Sequence, residues 1–200
     1  MTPATQISKR LLDVALLVLT APITVPLAAC CAVAVKLDSR GPLVFSQRRT
    51  GQDGVSFNMF KLRTMVVNAE AMKASLQHLN VLTPPDFKIP NDPRVTRAGR
   101  LLRATSLDEL PQLWNVLRGD MSLVGPRPTS FTPDTWQLWH TRRLQVKPGL
   151  TGLWQVSGRH ALEFDSRSRL DDIYIRNASV LLDLSIMLRT VPALVRREGA

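Results

Sequence analysis

Cysteine is almost missing from this chain: among 200 residues only Cys30 and Cys31 occur, side by side within the longest apolar run. With no CxxC pair and no neighbouring histidine, neither a disulfide framework nor a zinc site is supported, and the pair reads as small apolar residues of a hydrophobic segment. Histidine is equally sparse, and His78, His140 and His160 make no i,i+4 pair, so no metal is assigned to them. Aromatic residues are 6% of the chain and are not interleaved with the basic ones, which argues against a nucleic-acid stacking platform. Neither a Walker A pattern nor the dinucleotide-binding glycine fingerprint occurs, so a nucleotide site here must be of another kind. There is no internal repeat and no low-complexity tract.

What is abundant is positive charge. Lys and Arg number 26 against 16 Asp and Glu, a formal charge of +10. Such an excess suits an anionic partner. With no nucleic-acid partner expected, a membrane surface and phosphorylated substrates remain. The length fits one domain with a packed core and at most an appendage.

From Leu11 to Val35 the only charge is Asp13. A straight helix of that length measures about 37 Å, enough to cross a hydrocarbon core of about 30 Å. Pro22 and Pro26 interrupt it, each removing a backbone donor and clashing with the preceding turn. Broken at Pro26, the arms are about 22 Å and 16 Å long, and neither spans alone. Basic residues flank both sides, Lys9 and Arg10 before and Lys36, Arg40, Arg48 and Arg49 after. Since such residues favour the cytoplasmic side, a helix that enters, bends and returns keeps both clusters inside. A proline-kinked spanning helix is the alternative, and Val33-Ala34-Val35 also mimics a signal-peptide cleavage site.

Beyond Asp38 the composition is that of a soluble domain. Leu43-Val44-Phe45 and Val55 to Met59 read as short strands joined through the turn Gln52-Asp53-Gly54. Lys61 and Arg63 share a face if the second strand continues. Residues 66–79 suit a helix, and Asn80 to Pro93, with four prolines, a surface loop. Helical periodicity returns over Arg97 to Arg103, Leu107 to Leu117, Thr132 to Leu144 and Leu162 to Arg176. The apolar stretch Val180 to Arg197 suits either an interfacial helix, with Arg196 and Arg197 reaching lipid phosphates, or a helix closing the core.

Chemistry concentrates between Arg97 and Pro111. Ser106 followed by Glu109 is a capping-box pattern, so the plain reading of both acids is a helix start, delayed or kinked by Pro111. The functional reading uses the same physics: amides at a helix start favour negative charge and hold Asp108 ionised, as a nucleophile must be. Arg100 and Arg103 just upstream can neutralise the phosphate it attacks. Glu109 is adjacent and does not face Asp108 on a helix, so the two make a poor glycosidase pair. A division with Asp108 attacking and Glu109 helping to hold Mg²⁺ on a diphosphate fits better.

Two elements rich in Gly and Pro follow. Gly119 to Pro128 fixes Arg127 between two prolines, suited to bidentate phosphate contact. Lys147 to Arg159 repeats the idea, with glycines that admit close ligand approach and Arg159 ending the loop. Each alone is weak, because Gly-Pro loops are commonly just turns.

In this order the segments resemble the monotopic polyprenyl-phosphate phosphoglycosyl transferases among the bacterial sugar transferases. The matching pieces are Lys9-Arg10 with Asp13, Pro26 before Lys36-Leu37-Asp38-Ser39, Gly41-Pro42, Phe60 to Met65, Ser106 to Leu110, Gly119 to Pro128, Pro148 to Arg159, and Leu181-Leu182-Asp183-Leu184. They cover nearly the whole chain and favour the catalytic reading of the two acids over the capping one. The resemblance implies a catalytic dyad at Asp108 and Glu109, phosphate-handling arginines at Arg103 and Arg127, and a re-entrant helix broken at Pro26. It further implies a sugar-phosphoryl-aspartate with release of UMP from a UDP-sugar, attack by undecaprenyl phosphate to give a polyprenyl-diphosphate sugar, and a requirement for Mg²⁺. That step starts a surface glycan such as O-antigen, capsule or exopolysaccharide. The chain matches the minimal catalytic form of the family. Two departures stand out: Val25 where a serine usually precedes the breaking proline, and Lys147 where arginine is commoner.

The expectation is therefore a mainly α, α+β protein. Residues 1–37 form a re-entrant membrane helix, and residues 38–200 a cytoplasmic transferase domain with a β-hairpin and interfacial helices, at the bacterial inner membrane. Asp108 and Glu109 are the catalytic candidates, with Glu109 also the metal ligand. Arg103, Arg127, Arg100, Lys61, Arg63 and Arg159 are the phosphate-binding candidates. Membrane lipids are expected partners, and homodimerisation is left open. A phosphodiesterase-like hydrolase and a non-catalytic membrane adaptor are the alternatives.

Overall fold

A computed structural model describes residues 2–81, 87, 89–129, 138–157 and 164–195. Arg159, Arg196 and Arg197, much of the proline-rich loop, and the first half of the helix expected over Thr132 to Leu144 lie outside the described residues. Helices predominate over two small sheets, as the composition and patterning imply.

Helix α1 runs from Pro3 to Asp38, capped by the Thr2 side chain and carrying Pro22 and Pro26 inside it. It is long and apolar enough to cross a membrane, and little of it is buried. What is buried sits near its two ends: Lys9 and Asp13 at one, Cys31 and Val35 at the other. Between them Val18, Leu19, Ile23, Val25 and Leu27 are exposed. A core helix would not leave that surface bare; it suits association with a membrane. Thr24, opposite the prolines, donates to the Thr20 carbonyl at 3.1 Å, and Thr20 to that of Leu16 at 2.7 Å. Neither hydroxyl reaches a carbonyl freed by proline, but back-bonding of this kind bends helices.

The expected hairpin is present and longer than the sequence signals suggested. Strand β1 (Val44–Thr50) pairs antiparallel with β2 (Ser56–Leu62), Phe45 opposite Lys61 and Arg49 opposite Phe57. Residues 66–79 do not form the expected α-helix. They make successive turns, with i→i+3 bonds such as Ala69 to Val66 and Lys73 to Glu70, ending in a 3₁₀ turn at Gln77–Leu79. Ala69 is their only buried hydrophobic residue, and a helix this short needs an apolar face to pack.

Helices α2 (Arg97–Ala104) and α3 (Gln112–Arg118) are separated by a 3₁₀ turn over Leu107–Glu109, so the expected single helix from Leu107 starts late, after Pro111. The described part of the next segment, Leu138–Gln145, is also 3₁₀. The two Gly/Pro-rich elements, read as loops, supply strands β3 (Ser122–Val124) and β4 (Gly149–Thr151), paired in parallel. Their glycines serve the chain itself: a Cβ on Gly149 would stand 2.0 Å from the Gly125 nitrogen, and one on Gly152 2.4 Å from the Gly125 oxygen. Backbone, not ligand, makes the close approach. Short α4 (Leu153–Val156), α5 (Phe164–Asn177) and α6 (Val180–Val195) complete the chain. On α6 Ile186 and Asp183 are buried while Leu181, Leu188 and Val191 are exposed, so the helix closes the core and also carries an apolar outer face.

Packing is divided among three small clusters. Val124, Val146, Tyr174, Ile175 and Ile186 form one; Cys31, Val35, Leu62 and Leu102 a second; Met59, Val116 and Met121, joined by Leu17, a third. Polar bonds pin the start of α1 to this body. Lys9 pairs with Asp183 at 2.5 Å, and the Tyr174 hydroxyl donates to the same carboxylate at 2.8 Å. Ser122 donates its hydroxyl and Leu123 its amide to Asp13. Arg10 donates to the Val116 and Leu117 carbonyls at the end of α3. At the other end of α1, Asp38 accepts from the Ala98 amide in the first turn of α2.

Candidate active site

Three local devices bring the chemistry together. Gly99 lets α2 lie directly on the chain beyond β2, where a Cβ would meet the Thr64 carbonyl oxygen at 2.1 Å. This contact seats Arg103, whose Nε donates to the Thr64 hydroxyl at 2.8 Å. Ser106 then takes a left-handed conformation, φ 56°, with no side-chain cap bond, so the capping box read from the sequence does not form. A non-glycine residue held in that region stores strain, and it turns the following acids into a cleft. Finally, fully buried Asn115 on α3 accepts from the Phe60 amide and donates to the Asn58 carbonyl, fixing β2, and with it Lys61, against the acids.

The cleft encloses about 1070 Å³ and is lined by Arg49, Lys61, Arg103, Asp108, Glu109 and Arg127 among others. Its two carboxylates are unlike each other. Glu109 accepts from Lys61 Nζ at 2.8 Å and from both terminal nitrogens of Arg127. Burial works against the Glu109 charge, yet Arg127 and Lys61 hold its carboxyl well below the usual range. Asp108 is 7% exposed and accepts no hydrogen bond among the described residues. Burial pushes its carboxyl above the ordinary aspartate value, and Lys61, Arg103 and Arg127 offset only part of that rise. Its expected strong ionisation at a helix start is thus not what the site provides: the turn is 3₁₀ and the carboxyl is desolvated.

The other sequence candidates divide. Arg127 is anchored by backbone bonds, its carbonyl accepting from Arg143 Nη2 at 2.8 Å and the neighbouring Pro126 carbonyl from the Gly149 amide. Its fork lies on Glu109, in the position expected to face a phosphate. Arg100 lines the cleft from an exposed position. Arg63 also lines it, but its guanidinium is spent on Ser39, Pro42 and Met65, because β2 ends at Leu62 and the side chain leaves the strand alternation. Arg63 is therefore a clamp on the end of α1. Arg49, read in the sequence only as a flanking charge, is in the cleft. Extending β1 by strand alternation through Gln47 to Arg49 would have placed it on the face of Phe45, opposite Lys61.

Among the described residues no cluster of three metal-ligating side chains occurs. Mg²⁺ needs only one or two carboxylates when substrate phosphates complete its shell. Glu109 Oε2, whose one contact is the Arg127 nitrogen at 3.3 Å, retains the lone pairs for such a bond. The donor set fits an ion that arrives with a diphosphate.

The sequence matches the bacterial sugar transferase family over residues 4–197. The chain belongs to that family. Among curated relatives of this family member, the galactosyl transferase CpsE of Streptococcus agalactiae is 42% identical, across 97% of this chain and 43% of its own length. An undecaprenyl-phosphate galactose phosphotransferase of Salmonella typhimurium is 41% identical, across 96% of this chain and 41% of its own. The exopolysaccharide production protein ExoY of Sinorhizobium fredii is 38% identical, across 99% of this chain and 90% of its own. The chain thus spans about two fifths of the first two relatives and most of the third.

Proposed function

We propose that this protein transfers a sugar 1-phosphate from a UDP-sugar to undecaprenyl phosphate, the opening step of a surface polysaccharide. One observation carries the reading: of two adjacent carboxylates, Glu109 is paired with Lys61 and Arg127, chiefly through Oε1, while Asp108 stands unbonded in the cleft among Lys61, Arg103 and Arg127. A carboxylate free of hydrogen bonds and facing cations is suited to attack a phosphate that would otherwise repel it. The names of the Salmonella relative and of the UDP-glucose:undecaprenyl-phosphate glucose-1-phosphate transferase of Caulobacter vibrioides, 42% identical across 98% of this chain, support the substrate classes.

In this mechanism an Asp108 oxygen attacks the sugar-side phosphorus. The bond to the bridging oxygen breaks, and its electron pair leaves with UMP. The lipid phosphate then attacks the same phosphorus, restoring the carboxylate and giving the polyprenyl-diphosphate sugar. Arg103 neutralises the attacked phosphate, and Glu109 keeps Lys61 and Arg127 at fixed positions beside it. Glu109 would hold Mg²⁺ when it is bound, and the ion would supply further charge neutralisation at the diphosphate. The assay that tests the reading supplies membranes, undecaprenyl phosphate and a panel of UDP-sugars. One sugar should give UMP and lipid-linked product in equal amounts; free sugar phosphate instead would make the protein a hydrolase, and no UMP from any sugar an adaptor.

The membrane helix in this reading is re-entrant, at the cytoplasmic face of the inner membrane. Leu17 packs in the cluster of Met59 and Cys31 in that of Leu62. Packing of both ends of α1 on the same body supports this reading, and a bend at Pro22 and Pro26 would return them to one side. With Cys30 and Cys31 replaced, Thr5→Cys and Ser46→Cys should both resist an impermeant thiol reagent in intact cells; labelling of Thr5→Cys from outside would establish a spanning helix. The apolar outer face of α6 supports an interfacial position for that helix.

A further inference from the structure

We propose that Arg49 grips the leaving phosphate of the nucleotide sugar, the group that departs as the nucleoside monophosphate. The inference rests on the transfer reading above and assigns to this residue a place in it.

Three observations converge. First, Arg49 lines the same cleft as the acids. Strand β1 puts it two residues beyond Gln47, to which Nη2 donates at 2.6 Å, so the side chain is aimed by its own strand. Second, its charge is unanswered: it pairs with no carboxylate among the described residues, and its buried Nε has no hydrogen-bond partner. Lys61 and Arg127 occupy the carboxylate of Glu109, and Arg49 feels that charge without bonding to it. Burial, with Arg127 beside it, lowers the Arg49 guanidinium to about 10, the mark of a cation placed where an anion is missing.

Third, the charges are ordered along the cleft. The electrostatic neighbours of Asp108 are Lys61, Glu109, Arg103 and Arg127, whereas those of Arg49 are Arg127 and Glu109. The hairpin separates them in space: Arg49 pairs opposite Phe57 at the start of β2, whereas Arg103 bonds Thr64 just past the end of β2, so Arg103 stands at the nucleophile's end and Arg49 toward the other, with Arg127 acting on both Asp108 and Arg49. A diphosphate whose sugar-side phosphorus is in line with Asp108 extends its other phosphate past Arg127 toward Arg49. As Asp108 forms its bond to phosphorus, the electron pair of the breaking bond goes to the bridging oxygen, and the departing phosphate gains a negative charge. A guanidinium fixed there stabilises the transition state more than the ground state. Arginine's planar fork suits two phosphate oxygens at once.

Equilibrium binding of UMP and of uridine to the detergent-solubilised full chain tests the assignment. Arg49→Gln should weaken UMP binding roughly 30-fold, the loss of one charge-assisted phosphate contact, and leave uridine binding unchanged. Arg49→Lys, which keeps the charge and loses the fork, should fall between. Arg103→Gln should retain UMP affinity while losing the UMP burst from UDP-sugar. Thermal melting checks folding, and if Arg49→Gln does not fold, the lysine variant carries the comparison. Wild-type UMP affinity in a folded Arg49 variant overturns the assignment and leaves the transfer reading intact. Equal loss of UMP and uridine binding in Arg49→Gln also overturns it, placing Arg49 in a nucleoside contact or in the fold. A wild-type protein that binds neither UMP nor UDP-sugar overturns both.

Discussion

Asp108→Asn is expected to lower turnover by at least about 10⁴-fold, the scale on which removal of a covalent nucleophile acts. Given Mg²⁺ and the correct UDP-sugar without lipid acceptor, the wild-type enzyme should release UMP in a burst of at most one per active site and retain the sugar phosphate on Asp108. The asparagine variant should give neither. Misfolding will not explain the loss. Because burial raises the Asp108 carboxyl, ionisation of this group costs stability as pH rises through its folded value, and at neutral pH asparagine relieves that cost. The variant should therefore melt no lower than wild type. The same shift predicts that the wild-type burst rate falls on the acid side at a pH above the ordinary aspartate value of about 3.9, since Glu109 stays ionised throughout. An adduct that persists in Asp108→Asn, or maps to Asp120, would overturn the nucleophile assignment; UMP released only when lipid is present would favour single-step transfer.

Glu109→Gln should damage both stability and catalysis. It leaves Lys61 and Arg127 facing each other without the carboxylate they share. Removing one member of a buried pair costs roughly 3–5 kcal/mol. Lys61 and Arg127 are 22% and 30% exposed, so about 2–4 kcal/mol is expected by urea unfolding at pH 7. The sign with pH follows from the direction of the shift. Glu109 is held below its unfolded value, so its contribution is present above about pH 4.3 and is lost as pH falls toward the folded value. The difference between wild type and variant should accordingly shrink in acid. Turnover should drop by about 10²-fold or more, because Arg127 loses its anchor. Partial recovery at high Mg²⁺ is the outcome that assigns the metal to Glu109; no recovery would leave it as the holder of the two cations alone. A variant as stable as wild type would refute the shared-carboxylate arrangement.

Much of this architecture is legible in residue order, and the parts that are not have a common origin. The hairpin follows from two apolar strands around Gln52-Asp53-Gly54, and α2 and α5 follow from helical periodicity. Residues 66–79 mislead because helix propensity counts for little without a face to bury. Ser106 and Glu109 have the spacing of a capping box, yet the left-handed Ser106 and Pro111 leave no helix for it to cap. Gly125, Gly149 and Gly152 read as ligand-admitting loops, whereas two segments distant in sequence meet there, backbone against backbone.

By itself the sequence determined the class of the protein and its principal parts: an apolar helix with two prolines, a surplus of positive charge, and a pair of acids behind arginines. Those are properties of single segments, set by local periodicity and composition. The tertiary structure decided which acid is free. Adjacent residues of the same chemistry cannot be told apart by spacing, because their difference lies in what the rest of the chain brings to each. Lys61 comes from β2 and Arg127 from the segment beyond β3, and both close on Glu109. Arg63, two residues from Lys61, is drawn instead to Ser39 and Pro42, while Arg49 reaches the cleft by strand alternation. Long-range charge pairing in a desolvated cleft made these assignments, and it exists only once the chain has folded.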